Sequence, residues 1–87
     1  MNNLNRAFVY IIRCADQSLY TGWTNNLVNR LQEHNEGIKG AKYTRSRRPV
    51  KIVYSKEYPS RSAAQREEHR IKSMTRQEKL FFLTNPK

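Results

Sequence analysis

The chain has 87 residues, with seventeen Lys or Arg against seven Asp or Glu and a formal net charge of +10. That length supplies one modest hydrophobic core and no second module, so residues 1–87 are expected to form one domain whose core spans about residues 7–83. A single cysteine excludes an internal disulfide, and no apolar run suffices for a membrane span or a signal-peptide core, so the expected setting is a reducing cytoplasm away from membranes.

Residues 7–14 (Ala-Phe-Val-Tyr-Ile-Ile-Arg-Cys) are rich in β-branched and aromatic side chains and apolar on both parities. That is the pattern of a strand covered on both faces, and it predicts the central strand of a sheet. The polar break Ala15-Asp16-Gln17 leads into a second strand from Ser18 to Trp23, hence a hairpin. Cys14 falls inside the strand and reads as a packed small hydrophobe. Thr24, Asn25 and Asn26 are N-cap types, and Leu27, Leu31 and His34 recur at helical spacing before Gly37, which predicts a helix over about 26–36.

Residues 38–48 carry five basic residues and Tyr43 with no acid and no apolar period, and are read as a basic loop. Val50, Ile52 and Tyr54 alternate in a third strand; Pro59 with Ser60 or Ser62 opens a second helix reaching about Met74. Thr75 and Glu78 have capping-box spacing, so a third helix is predicted from Arg76 to about Leu83, with Leu80, Phe81 and Leu83 on its apolar face. The order ββαβαα gives an α+β fold: a three-stranded antiparallel sheet flanked by helices. The charge is uneven along it, because residues 1–37 balance while residues 38–87 carry fourteen Lys or Arg against four Glu. Such a surface attracts polyanions, phosphate backbones above all, with solvated solubility charge as the plainer reading.

The hairpin register decides whether Tyr10 and Tyr20 act together. With a three-residue connection Cys14 pairs with Ser18, so Tyr10 lies opposite Gly22 and Tyr20 opposite Ile12, and both rings share one face as diagonal neighbours. A connection one residue longer would separate them. Gly22 is expected to leave open space beside the Tyr10 ring for a phosphate to approach. On the first helix, Arg30 and His34 share a side; His34 sits within the Leu27 and Leu31 stripe, where a satisfied core histidine is a serious alternative, and Arg30 lies at its edge. On the second helix the apolar positions are Ala63, Ala64, Ile71 and Met74. Glu67 lies nearer their centre and Glu68 on the flank, and periodicity does not say which carboxylate matters.

Taken in order, these residues resemble the GIY-YIG nuclease domain, especially its small single-domain bacterial members. Phe8-Val9-Tyr10 is similar to the first signature and Tyr20-Thr21-Gly22 to the second; Arg30-x-x-x-His34 is similar to the helix that follows. Gly40-Ala41-Lys42-Tyr43-Thr44-Arg45, then Pro49-Val50, resembles the loop and third strand of the small subgroup. Ala64 four before, Ile71 three after and Lys72 four after mark Glu68, not Glu67, as the family's metal-ligand position. The resemblance covers about residues 7–80. Phe8 and Thr21 depart from it, standing where the signatures carry glycine and isoleucine, and the late asparagine of some relatives is not carried onto Asn85.

The resemblance implies a metal-dependent endonuclease hydrolysing phosphodiester bonds in DNA, structured or branched DNA in repair or recombination included, with RNA as another possible partner. It implies that Glu68 holds one Mg²⁺ or Mn²⁺, that Arg30 stabilises charge developing on phosphorus, that Tyr10 orients or deprotonates the attacking water with Tyr20 hydrogen-bonded nearby, and that His34 carries a proton or contacts phosphate. A free tyrosine has a pKa of about 10, so a base role requires a cationic neighbourhood, expected from Arg30, His34 and the metal. Lys39, Lys42, Tyr43, Arg45, Arg47 and Arg48 are the expected nucleic-acid contacts. The rival reading is a non-catalytic module that binds DNA or RNA through the same surface.

Overall fold

The computed structural model describes residues 6–36 and 42–84; Lys39 and the side chain of Lys42, both expected nucleic-acid contacts, lie outside what it describes. Strands β1 (Ala7–Arg13), β2 (Leu19–Thr24) and β3 (Lys51–Tyr58) form one antiparallel sheet in the order β2-β1-β3. The α+β fold and the central position of β1 are therefore as the sequence predicts. Around the sheet stand α1 (Leu27–Glu36), α2 (Lys42–Arg45), α3 (Arg61–Lys72) and α4 (Arg76–Thr84).

Tyr10 pairs with Gly22 and Ile12 with Tyr20, so the two tyrosines share a face. The turn that sets this register closes with Cys14 N–H donating to Ser18 O at 2.9 Å. Gln17 has φ of 74°, the left-handed residue that a three-residue hairpin connection needs at its last position. Asp16 Oδ1 accepts from Ser18 N at 3.0 Å and compensates part of that strain.

β1 is covered on both sides because its two parities serve different clusters. Ala7, Val9 and Ile11 pack with Ala64 and Ile71 of α3, joined by Met74, Phe82 and Leu83. Tyr10, Ile12 and Cys14 pack with Val50, Leu27, Leu31 and Tyr20. The β1–β3 register slips between Ile11, which faces Tyr54, and Ile12, which faces Ile52, leaving Val53 as a bulge. As a result Val53 and Tyr54 both pack on the α3 side.

Two expectations change. Part of the basic segment read as a loop is a single helical turn, α2, so the order is ββααβαα. On α4, Leu83 joins the core as expected and Phe82 with it, whereas Phe81 is 69 % exposed and Leu80 37 %. The capping box is present, with Thr75 N donating to Glu78 Oε1 at 2.8 Å and Glu78 N to Thr75 Oγ1 at 3.1 Å. It fixes where α4 starts, while the rotation of so short a helix is set by packing against Tyr54, whose ring meets Phe82 edge-on at 4.9 Å.

Asn35 ties α1 to the start of the third strand: its amide donates to Val50 O at 3.0 Å and accepts from Val50 N at 2.8 Å. Arg48 completes the end of α1, donating from Nε to His34 O at 2.6 Å and from Nη2 to Glu33 O at 3.3 Å. These are carbonyls that a helix C-terminus leaves without intrahelical partners.

Thr21 stands where the resemblance has isoleucine, and its buried hydroxyl has no hydrogen-bond partner among the described residues. Burying an unpaired hydroxyl costs about 1–3 kcal/mol. Thr21→Val, which keeps the shape and removes the orphan, is therefore expected to raise the unfolding free energy by about 1–2 kcal/mol in urea titrations.

Candidate active site

The site is built where β1, β2 and α1 meet. Tyr10 is 1 % exposed and His34 0 % exposed, and Tyr10 Oη lies 2.9 Å from His34 Nε2. Arg30, one helical turn before His34, donates from Nε to Tyr10 Oη at 3.4 Å and pairs through Nη1 with Glu33 Oε1 at 2.9 Å. On its other edge His34 Nδ1 lies 2.8 Å from Thr44 Oγ1, another fully buried group. Tyr20 meets the His34 ring edge-on, with centroids 5.3 Å apart. The alternative of a satisfied core histidine thus describes the environment of His34, and that environment sits within the expected constellation.

The space beside Gly22 is not open. A Cβ there would stand 2.6 Å from Tyr10 Oη and 2.9 Å from its Cζ. The glycine makes room for the hydroxyl of Tyr10 rather than for an approaching phosphate.

Electrostatics also revise the expected cationic neighbourhood. Burial pushes Tyr10 up to about 12, opposed by the hydrogen bond and charge of Arg30 and assisted by the charges of Tyr20 and Glu68. Burial, with the positive charge of Arg30, pushes His34 down to about 4 despite Glu33. At neutral pH His34 is therefore an uncharged imidazole, and of the two protein cations expected around Tyr10 only Arg30 remains. Both ring nitrogens of His34 are already engaged, by Tyr10 and Thr44, which removes it from direct contact with phosphate.

Glu68 projects from α3 with its side chain 18 % exposed, and Oε2 lies 3.1 Å from Lys72 Nζ. Its charge acts weakly on Tyr10, whereas Glu67 on the preceding position pairs with Arg70 and is lowered chiefly by that bond. Among the described residues there is no group of three or more His, Cys, Asp and Glu able to cage a metal. A lone carboxylate can serve Mg²⁺ or Mn²⁺, which keep waters and add substrate oxygens, though Lys72 competes for it, and it does not suit zinc.

The basic segment stacks on this centre. Tyr43 is stacked on Tyr20 at 5.8 Å, and the Arg47 guanidinium lies 4.0 Å over the Tyr43 ring. Arg47 also donates to Asp16 Oδ2 at 3.0 Å and to Tyr43 O at 2.8 Å, and Arg48 caps α1. Tyr43, Arg45, Ser46 and Arg47 line an open surface depression. Thr44 stands inside the 40–45 stretch of the resemblance, but no role was expected of it or of Asn35: both act through contacts ten to fifteen residues away, and neither lies in a periodic pattern.

The family profile of the GIY-YIG catalytic domain matches residues 6–80, and the chain belongs to that family. It is 53 % identical over 77 residues to a UPF0213 protein of Syntrophus aciditrophicus, covering 88 % of each chain. It is 59 % identical over 73 residues to one of Oceanobacillus iheyensis, covering 84 % of each. The solution NMR structure of a UPF0213 protein from Bacillus halodurans is similar at 38 % identity and a TM-score of 0.62, over 93 % of this chain and 85 % of that one. That of the E. faecalis protein EF2693 is similar at 36 % and 0.60, over 97 % and 90 %. No helix among the described residues is long and apolar enough to cross a membrane.

The buried position of His34 has a measurable signature. Its folded pKa of about 4 lies below the ordinary histidine value of 6.5, so between those values the unfolded chain binds the extra proton. This contribution to stability is complete above about pH 6.5 and is lost as pH falls towards 4, on the order of 3 kcal/mol in all. NMR titration of the ring should show His34 neutral down to about pH 5, and a midpoint near that of a free histidine would contradict the burial argument.

Proposed function

As a member of the GIY-YIG family the chain starts from a nuclease-type domain, and we propose that it is a divalent-metal-dependent endonuclease that hydrolyses phosphodiester bonds in DNA, structured or branched DNA included. The observation that carries this reading is the convergence of Tyr10, Tyr20, Arg30 and His34 on one centre, with the carboxylate of Glu68 on α3 a minor electrostatic influence on Tyr10. A module that only bound phosphates would gain nothing from a carboxylate there.

In this reading Glu68 holds the cation, displacing or sharing with the ammonium of Lys72. When bound, Mg²⁺ or Mn²⁺ supplies positive charge to phosphoryl oxygen. Arg30 carries a fixed charge and a donor directed at Tyr10 Oη, and in this reading its guanidinium stabilises the negative charge that grows on the phosphoryl group. Tyr10, held protonated by burial, orients the attacking water by accepting a hydrogen bond from it. His34 and Tyr20 keep Tyr10 in place. The basic surplus of the second part of the chain steers the backbone, Lys39, Lys42, Arg45, Arg47 and Arg48 are its proposed contacts, and Tyr43 adds an aromatic edge to the depression.

Glu68→Gln preserves volume and removes the charge that holds the cation. Cleavage of flapped or branched DNA with Mg²⁺ or Mn²⁺ should fall by roughly 10²–10³-fold while gel-shift affinity persists or improves. Glu67→Gln should cleave within a few-fold of wild type, since its partner is Arg70. Wild-type protein inert on branched and linear DNA and RNA with both metals would transfer the reading to a nucleic-acid-binding module.

Affinity should fall steeply with salt in either case, because each neutralised phosphate releases counterions. Arg45→Ala should lower the slope of log K against log salt by about 1 without altering sequence preference. Equal affinity at low and moderate salt would remove nucleic acid as the partner.

A further inference from the structure

The hydroxyl hydrogen of Tyr10 has few places to go. Tyr10 is 1 % exposed, and Arg30, which approaches Oη at 3.4 Å, is a donor only. Among the described residues the remaining polar neighbour is His34 Nε2 at 2.9 Å. For the hydroxyl to be satisfied Nε2 must accept, which in a neutral imidazole places the hydrogen on Nδ1. Nδ1 lies 2.8 Å from Thr44 Oγ1, and Thr44 is 0 % exposed. A hydroxyl can accept there while still donating its own hydrogen onward.

We propose that Thr44 is a positioning residue for Tyr10. By accepting from His34 Nδ1–H it holds the imidazole in one tautomer, keeps Nε2 as the acceptor for Tyr10 O–H, and so directs the lone pairs of Oη away from His34 and towards the attacking water. Without an acceptor at position 44 the Nδ1–H would be buried and unpaired, a cost that favours the other tautomer. Nε2–H would then point at Oη alongside the Arg30 donor, and the hydroxyl hydrogen would be forced into the direction the water needs. The single turn α2 thereby fixes two parts of the centre through adjacent residues, since Tyr43 stacks on Tyr20 and Thr44 holds His34. The consequence for cleavage rests on the nuclease reading above; the consequence for the tautomer does not.

The test combines nitrogen-15 NMR of His34 in the full chain at neutral pH with cleavage kinetics on a flapped DNA, for wild type, Thr44→Ser and Thr44→Val. Wild type and Thr44→Ser should show the Nδ1–H tautomer and turn over within a few-fold of each other. Thr44→Val should populate Nε2–H and lose roughly 10²-fold in kcat with little change in KM, the pattern of a misdirected reacting group rather than a lost binding contact. Thr44→Ala replaces it if the valine variant does not fold. Nε2–H in the wild type, Nδ1–H retained without the hydroxyl, or unchanged kcat in the folded valine or alanine variant would each overturn the proposal. If wild type does not cleave at all, the nuclease reading fails, and the NMR comparison still decides whether Thr44 sets the tautomer.

Discussion

The hydrogen bond between Tyr10 and His34 is the constraint on which the rest depends. Both side chains are fully buried, and Tyr10 packs in an apolar cluster with Ile12, Cys14, Val50, Leu27 and Leu31. Two polar rings can occupy an apolar interface only if their polar atoms are paired, because the same low dielectric that strengthens the bond makes an orphaned partner costly. That requirement fixes the rotation of α1 about its axis, since turning the helix by one residue would carry His34 out of reach of β1. Arg30, one turn earlier, is placed beside Oη by the same rotation. Gly22 is determined too, for any side chain there would occupy the volume of the Tyr10 hydroxyl.

The basic surplus has a more divided role than composition suggests. Arg47 is held by Asp16, the Tyr43 carbonyl and the Tyr43 ring; Arg48 by the carbonyls of Glu33 and His34; Arg76 by the carbonyl of Gln17. Hydrogen bonding to a neutral carbonyl leaves the charge intact, so Arg48 and Arg76 still contribute to the field that draws a polyanion. Arg47 is partly neutralised by Asp16 and serves more as a staple between the basic segment and the hairpin turn. Removing it would alter the scaffold under Tyr20 as well as the surface charge.

Much of this was legible in the sequence where a period or a turn length carries it. The strand period and the three-residue connection determine the hairpin register, and with it the shared face of Tyr10 and Tyr20. Leu27, Leu31 and His34 mark the buried side of α1. What was not legible depends on contacts remote in sequence. Thr44 lies in a basic stretch with no apolar period, and its partner is fixed only when that stretch folds back over α1. Gly22 was misread because a missing side chain leaves space only if no neighbour fills it, and Tyr10 does. Phe81 and Phe82 are adjacent, and the rotation that buries one and exposes the other comes from Tyr54 on β3. Glu67 and Glu68 are separated by their partners, Arg70 and Lys72, rather than by burial, which is nearly the same for both.

The chemistry assigned to Tyr10 follows from where its proton is held. With a pKa of about 12, roughly one molecule in 10⁵ carries the phenolate at pH 7, and a neutral His34 adds no charge to increase that fraction. A nearby divalent cation acts in the opposite direction to burial, while an arriving phosphate adds negative charge that acts with it. A site that waited for phenolate would therefore spend nearly all its time idle, whereas a protonated Tyr10 with its hydrogen directed at His34 keeps a lone pair of Oη free of that bond. The proposed reaction then relies on placement and on fixed positive charge rather than on a strong base. Placement is what a small domain can provide at low cost, because the contacts that hold Tyr10, His34 and Arg30 in position are also part of its core.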